Sequence, residues 1–418
     1  MDKLIISGNK NLKGSINIHG SKNSALPIIV SSLLSNENLV LSNVPNVDDI
    51  NNMITLLRGY GVKINKNNKS IIINSKNVKN ISADYDIVRK MRASILILGP
   101  LLSRFGYSKI SLPGGCAIGT RPIDIHLKGL SKLGVKFEIE NGFVIAKTAN
   151  NLSGNKIKLP FPSVGATENI LMASVLAKGE TVIQNAAKEP EISDLGNCLI
   201  SMGSKIEGLG TNTIHIQGVT QLNKASHKVI PDRIVAGTFI ILAVMLNNKL
   251  EIKNVITEHL DSLTQVLKKM GANLTIFKRS ILVSPSKKLK SHNVVTSPYP
   301  GFPTDLQAQL MSLMCIVNGT SQIKETVFEN RFMHVPELNR LGANITLNKD
   351  KAFIEGNQTF KGAQVMASDL RASVSLVLAA LCAEGNTTVN RVYHLDRGYE
   401  KIEIYLRKLG AKIKREKF

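Results

Sequence analysis

Tryptophan is missing altogether, and aromatic residues make up only 5% of the 418-residue chain. So few rings leave little on which nucleobases could stack. The formal net charge is +22, yet the lysines are spread along the whole length, often beside Asn and Ile, with no basic block. A diffuse surplus of this kind describes a solvated surface better than a nucleic-acid groove, and it remains compatible with a small anionic substrate. Cysteine is scarce as well. Four widely spaced cysteines offer neither a disulfide framework nor a zinc pattern, and eight scattered histidines add no ligand cluster. No metal or other cofactor is expected. Long apolar runs are also lacking: AGTFIILAVML and VSLVLAALCA fall short of the about 20 residues that span a bilayer. The opening MDKLIISGNKN has no apolar core or cleavage site of a secretory signal. With 43% hydrophobic and 20% charged residues, the composition is that of a folded, cytoplasmic protein long enough for at least two cores.

What the chain does have is one unusual loop, SLPGGCAIGTRPIDIH, running from Ser111 to His126. Adjacent glycines permit backbone angles closed to other residues, so such a loop can lie close against a ligand. Cys116 sits inside it, with Arg121 five residues on, and a nearby guanidinium stabilises a thiolate. Cys198, Cys315 and Cys382 lie instead within apolar helical runs, where a thiol behaves as a small inert hydrophobe.

The organising signal is repetition. Six times the sequence passes through an apolar helix, a short strand, an amphipathic helix closing on glycine, and a hairpin. The closing glycines are Gly61, Gly134, Gly203, Gly271, Gly342 and Gly410, between 68 and 73 residues apart. Each is expected to end its helix in the left-handed conformation. The sixth copy stops at AKIKREKF without its second hairpin strand, and the opening KLIISGNKN resembles the missing piece. The expected fold is therefore α/β, with two domains of three repeats each: residues 21–230, and residues 231–418 together with 1–20. The chain would cross between them twice, near 20–22 and 230–233, as a hinge does.

The apolar helices begin in SKNSALPIIV, VRKMRASILIL, VGATENILMA, PDRIVAGTFII, PTDLQAQLMSL and SDLRASVSLVL. Helices apolar on all sides must be buried, leaving only their N-terminal ends to reach solvent. Lys22, Arg92, Arg233 and Arg371 lie in or beside first turns, where a cation opposes the helix dipole by about 0.3–1 kcal/mol. An anionic ligand would offset that cost. Arg121, Arg331 and Arg397 are expected at the heads of the amphipathic helices, offering two-pronged donors for carboxylate or phosphate.

GSKNSALP, LPGGCAIGTRPID, FPTDLQAQ, TVFENRFMHVPEL, SDLRASVSLVLA and HLDRGYEKIE resemble the enolpyruvyl transferase family over essentially the whole chain, and within it the members acting on UDP-N-acetylglucosamine. The resemblance implies two inside-out α/β barrels, each of three βα repeats in pseudo-threefold array. It implies transfer of the enolpyruvyl group of phosphoenolpyruvate to the sugar 3-hydroxyl with release of phosphate, the first committed step of peptidoglycan synthesis, without a cofactor. By matching motif, Cys116 would donate a proton to the methylene carbon of phosphoenolpyruvate and form a covalent adduct at C2. Lys22, Asn23, Arg121 and Arg397 would handle phosphoenolpyruvate. Asn23, Arg92, Arg121, Pro122, Ile123, Asp124, Ile125, Ser163, Val164, Gly165, Asp305 and Val327 would form the UDP-sugar site. Arg331, Asp369 and Arg371 would line the cleft.

The resemblance makes Asp305 the base for the sugar hydroxyl. Its place at a helix start, where capping and the dipole favour the anion, argues instead for orienting that hydroxyl. Two other readings stand beside this one: a shikimate-type transferase lacking the cysteine loop, and a basic RNA-binding protein on the same repeat. The resemblance does not account for the lysine-rich surface.

Overall fold

The computed structural model describes residues 2–8, 11–67, 70–79, 88, 91–111 and 123–417. By contacts the described residues divide into two compact units, one from within 20–230 and the other from within 1–19 and 231–418. Each has its own hydrophobic core. One is built from side chains between Ala25 and Val229, the other from Leu4 to Ile18 together with Ile234 to Ile413.

Each unit places apolar helices inside and sheets outside. In the unit of 20–230 the inner helices are Lys22–Ser31, Leu98–Phe105 and Val164–Ser174. In the other they are Arg233–Met245, Gln307–Ile316 and Leu370–Cys382, and every residue of the last is buried. A helix apolar all round has nowhere else to go. Ser21, Ser163, Asp232 and Asp369 cap four of the six, each accepting a first-turn amide on its side chain. RASILI departs from the sequence expectation: Arg92–Ile97 is a 3-10 turn, and the α-helix begins only at Leu98. Pro100 explains the boundary, because proline fits the first turn of an α-helix, where its missing amide would be unpaired anyway.

All six repeat-closing glycines have positive φ, from +88° at Gly61 to +103° at Gly203 and Gly410. The helices before them are Asp48–Gly59, Asp124–Lys132, Pro190–Ser201, Asp261–Lys269, Val335–Arg340 and Ile402–Lys408. The fifth is shorter than its sequence pattern, starting at Val335 with Pro336 beside it rather than at Asn330. Arg397 also departs from expectation. It does not head the last helix but ends the short helix Tyr393–Asp396, and Lys401, at φ +37°, separates the two.

The strands show alternating burial, one face against the helices. Parallel edges join Lys156–Lys158 to Glu180–Gln184, Val294–Val295 to Thr320–Lys324 and Gln364–Met366 to Asn386–Asn390, each pair spanning an inner helix. At the two crossings, strands distant in sequence fill this edge place. Ala225–Lys228 pairs with Asn38–Ser42, and Gly14–Asn17 with Leu250–Lys253. The strand Lys3–Ser7 lies between Asn386–Asn390 and Lys412–Glu416, supplying the hairpin strand that the sixth repeat lacks.

Candidate active site

Cys116, Arg121 and Pro122 lie outside the described residues. The other residues singled out in the sequence fall in the two units as follows. In the unit of 20–230, Lys22 opens its helix with its ammonium 3.0 Å from Asp49, a carboxylate only 3% exposed. Asn23 follows it, and the next residue, Ser24, hydrogen-bonds Asp194. Asp194 also accepts from the amide of Ile230 at 3.2 Å and faces Nε2 of His227 at 2.8 Å. The start of this helix is thus tied to the strand leading to residue 230.

Elsewhere in the same unit three matched segments converge on Asn169. Its amide donates to the carbonyl of Ile95, in the turn that begins at Arg92, and lies 3.2 Å from Nδ1 of His126. Its carbonyl oxygen accepts from Gly99 at 2.6 Å. His126 follows the matched run Ile123, Asp124, Ile125, and its ring lies against Gly165, where a Cβ would sit 3.1 Å from Cε1. Ser163 caps this helix, Val164 and Gly165 begin it, and Asp124 pairs with Lys128 at 3.1 Å. Asn169, His126, Asp49, Asp194 and His227 were not found by sequence reasoning. Isolated polar residues inside apolar or loop segments give no signal until their distant partners are known.

In the other unit the centre is Asp305. It lies in the 3-10 turn Thr304–Leu306, and its side chain does not cap the helix. Instead Arg331 Nη2 donates to one carboxylate oxygen and Arg371 Nη2 to the other, both at 2.6 Å. The capping expectation is therefore corrected: two guanidinium groups, rather than the helix end alone, stabilise the anion. Glu325 accepts from Thr304 Oγ1 at 2.9 Å and from the amides of Val327 and Phe328, which fixes Val327 beside this turn. Asp369 caps its own helix through the amides of Arg371 and Ala372. His334 is buried with Nε2 3.2 Å from the sulfur of Met311. Burial pulls its pKa down to about 4; nearby Asp369 opposes this and Arg331 adds to it. Burial also lowers the pKa of His394, where Arg397 adds to the effect and Asp369 opposes it.

Two of the helix-start cations therefore have carboxylate partners within the protein, Lys22 with Asp49 and Arg371 with Asp305. The offset that the sequence assigned to a ligand is at least partly internal. Arg233 lies over the ring of Tyr299 at 5.6 Å. Burial pushes the thiols of Cys198 and Cys315 up to about 12, as inert core cysteines require. Among the described residues no helix is long and apolar enough to cross a membrane.

Within one unit Arg331 and Arg371 direct their guanidinium groups at Asp305, and side-chain caps open inner helices in both units. The sequence matches the EPSP synthase (3-phosphoshikimate 1-carboxyvinyltransferase) family over residues 6–413, and the chain belongs to that family of enolpyruvyl transferases. The chain is 54% identical over 99% of its length, and all of the relative's, to a UDP-N-acetylglucosamine 1-carboxyvinyltransferase of Pelagibacter ubique. It is 51% identical, over 99% of both chains, to UDP-N-acetylglucosamine 1-carboxyvinyltransferase 2 of Mesorhizobium japonicum. Among solved structures, the enolpyruvyl transferase NikO of Streptomyces tendae has the same fold, with TM-score 0.91 at 24% identity over 99% of this chain and 98% of that one. EPSP synthase of Acinetobacter baumannii aligns with TM-score 0.78 at 19% identity over the whole of both chains.

Proposed function

We propose that this chain transfers the enolpyruvyl group of phosphoenolpyruvate to the 3-hydroxyl of UDP-N-acetylglucosamine and releases phosphate, in the cytoplasm, as the committed step toward peptidoglycan. The observation that carries this reading is the 54% identity, along 99% of the chain, to a relative bearing that activity as its name. The division into 21–230 and 231–418 with 1–20 belongs to the same reading, as do the residue roles.

In the addition step the sugar oxygen bonds to C2 of phosphoenolpyruvate as its hydroxyl proton leaves to Asp305 or to water, while the methylene carbon takes a proton from the Cys116 thiol. In the elimination step that carbon returns a proton to the Cys116 thiolate as the C2–O bond to phosphate breaks, leaving the enol ether and free phosphate. Lys22, Asn23, Arg121 and Arg397 hold phosphoenolpyruvate. Asn23 and Arg121, with Arg92, Pro122, Ile123, Asp124, Ile125, Ser163, Val164, Gly165, Asp305 and Val327, hold the UDP-sugar. Arg331, Asp369 and Arg371 supply the polar surroundings.

Asp305 faces the hydroxyl. A guanidinium group at 2.6 Å from each of its oxygens stabilises the carboxylate and makes it a weaker proton acceptor, while each oxygen keeps a second lone pair for the hydroxyl. Orienting the hydroxyl is therefore its first role.

The family match carries the name of the shikimate enzyme, so acceptor choice is the deciding measurement. Phosphate release is expected with phosphoenolpyruvate plus UDP-N-acetylglucosamine, and none with phosphoenolpyruvate plus shikimate 3-phosphate. The reverse pattern would establish the shikimate activity and overturn this reading.

A further inference from the structure

The guanidinium of Arg415 is directed wholly at carboxylates. This residue stands on the last strand, Lys412–Glu416, two positions beyond the buried Ile413 and so on the same face. Its Nε donates to Glu403 Oε1 at 2.8 Å and its Nη2 to Glu403 Oε2 at 3.1 Å. Nη1 and Nη2 also donate to the two oxygens of Asp396, at 2.8 and 2.7 Å. Nη1 reaches Asp2 Oδ2 as well, at 3.3 Å. A guanidinium carries five N–H groups, and these contacts engage them all. No donor is left for a substrate anion. Whatever Arg415 does for a site, it does through the carboxylates it holds.

Two of those carboxylates bracket Arg397. Asp396 ends the short helix Tyr393–Asp396 and is joined directly to Arg397, while Glu403 lies in the first turn of the helix Ile402–Lys408. One rigid, planar group thus holds both ends of the segment 396–403 and fixes the span between them. Within that span Lys401 has φ +37°, a conformation that a residue with a β-carbon keeps only where its surroundings impose it. Glu403 is 3% exposed, so this side of the clamp lies below the surface that solvent screens. We propose that Arg415 is a positioning residue for enolpyruvyl transfer. By gripping Asp396 and Glu403 together it sets where Arg397 stands, and so how tightly phosphoenolpyruvate is held. This rests on the function proposed above, in which Arg397 holds that substrate. The alternative is that the clamp only fastens the last strand and the first residues to their unit, and the two differ in which substrate notices.

Arg415→Lys keeps the charge but cannot hold two carboxylates by paired prongs. The expected result is a KM for phosphoenolpyruvate higher by about ten-fold, the weakening of one hydrogen bond to a charged group, with KM for UDP-N-acetylglucosamine changed by less than about two-fold. Asp396→Asn, which weakens one side of the clamp, is expected to move the same KM in the same direction. Asp2→Asn meets the same guanidinium from outside the segment and is expected to leave both KM values at those of the parent. In an Arg397→Ala background, Arg415→Lys is expected to lower kcat/KM for phosphoenolpyruvate no further, since both act through one contact. Rates are referred to the folded fraction, measured by circular dichroism on the same samples. An Arg415→Lys enzyme whose KM for phosphoenolpyruvate stays within about two-fold of the parent's, or whose two KM values rise together, overturns the positioning role while the proposed function stands. A further loss in the Arg397→Ala background overturns it too. A parent chain that releases no phosphate from phosphoenolpyruvate with UDP-N-acetylglucosamine overturns the reading beneath it.

Discussion

At the scale of single residues, several buried charges among the described residues are met by a charge of the opposite sign. Lys22 with Asp49, and Arg331 and Arg371 with Asp305, are paired ions whose partners stabilise each other, and removing one member of such a pair leaves an uncompensated charge. Glu168 is different. It lies on the helix Val164–Ser174, only 4% exposed, and burial pushes its carboxyl well above the ordinary 4.5, with the charges of Glu191 and Glu189 adding to the rise. The native state therefore keeps this proton to a higher pH than the unfolded chain does. Its contribution to stability is complete below 4.5 and is lost as the pH climbs through the raised native value. Glu168→Gln preserves the shape and has no proton to lose. Calorimetry from pH 5 to pH 9 is expected to show the variant's melting temperature gaining on the parent's as the pH rises. A gap that stays constant, or narrows, would mean that Glu168 is ionised in the native state at all these pH values.

At the scale of elements, helix ends carry the repeat. The six closing glycines were legible because a helix that must turn sharply into a strand needs a residue tolerant of positive φ, and all six adopt it. Their cost separates cleanly from packing at Gly134, where φ is +101° and a Cβ would meet nothing within 4 Å. Gly134→Ala is expected to destabilise by about 1–2 kcal/mol from backbone strain alone. Gly59 is the control. It too has open space around it, but it sits in the helix Asp48–Gly59 without positive φ, so Gly59→Ala should stabilise by up to about 1 kcal/mol. Urea denaturation of both variants measures the opposite signs, and equal signs would contradict the assignment. The beginnings of helices were less legible than their ends. PTDLQAQ and MRASILIL read as plain helix starts, yet both open with a 3-10 turn. In the first of these the acid at the start turns to arginines rather than to the helix amides.

At the scale of the whole molecule, the sequence disclosed what repeats and concealed what pairs at long range. The missing arm of the sixth hairpin pointed to the opening strand, and that strand indeed runs between residues 386–390 and 412–416. By contrast Asp49 stands 27 residues from Lys22, on the other helix of the same repeat, and Asp305 stands 66 from Arg371, in a different repeat. No periodicity links such positions, so the carboxylates that hold these cations appear only once the elements are folded together. The same closure makes the first residues a part of one core and not of the other. Leu4 and Ile6 are fully buried among side chains of 234–413, while the core of 20–230 contains neither. Ile6→Ala should therefore cost about 2–5 kcal/mol, and the cost should fall on one unit. Hydrogen exchange followed by mass spectrometry is expected to quicken in the strands 386–390 and 412–416 and in the helix 370–382, and to stay unchanged in the strands 38–42 and 70–74. Equal quickening in both units would show that they unfold as one body. Quickening confined to residues 3–7 would show that this strand is an appendage to the sixth sheet, which the central place of Ile6, opposite Thr387 on one side and Ile413 on the other, argues against.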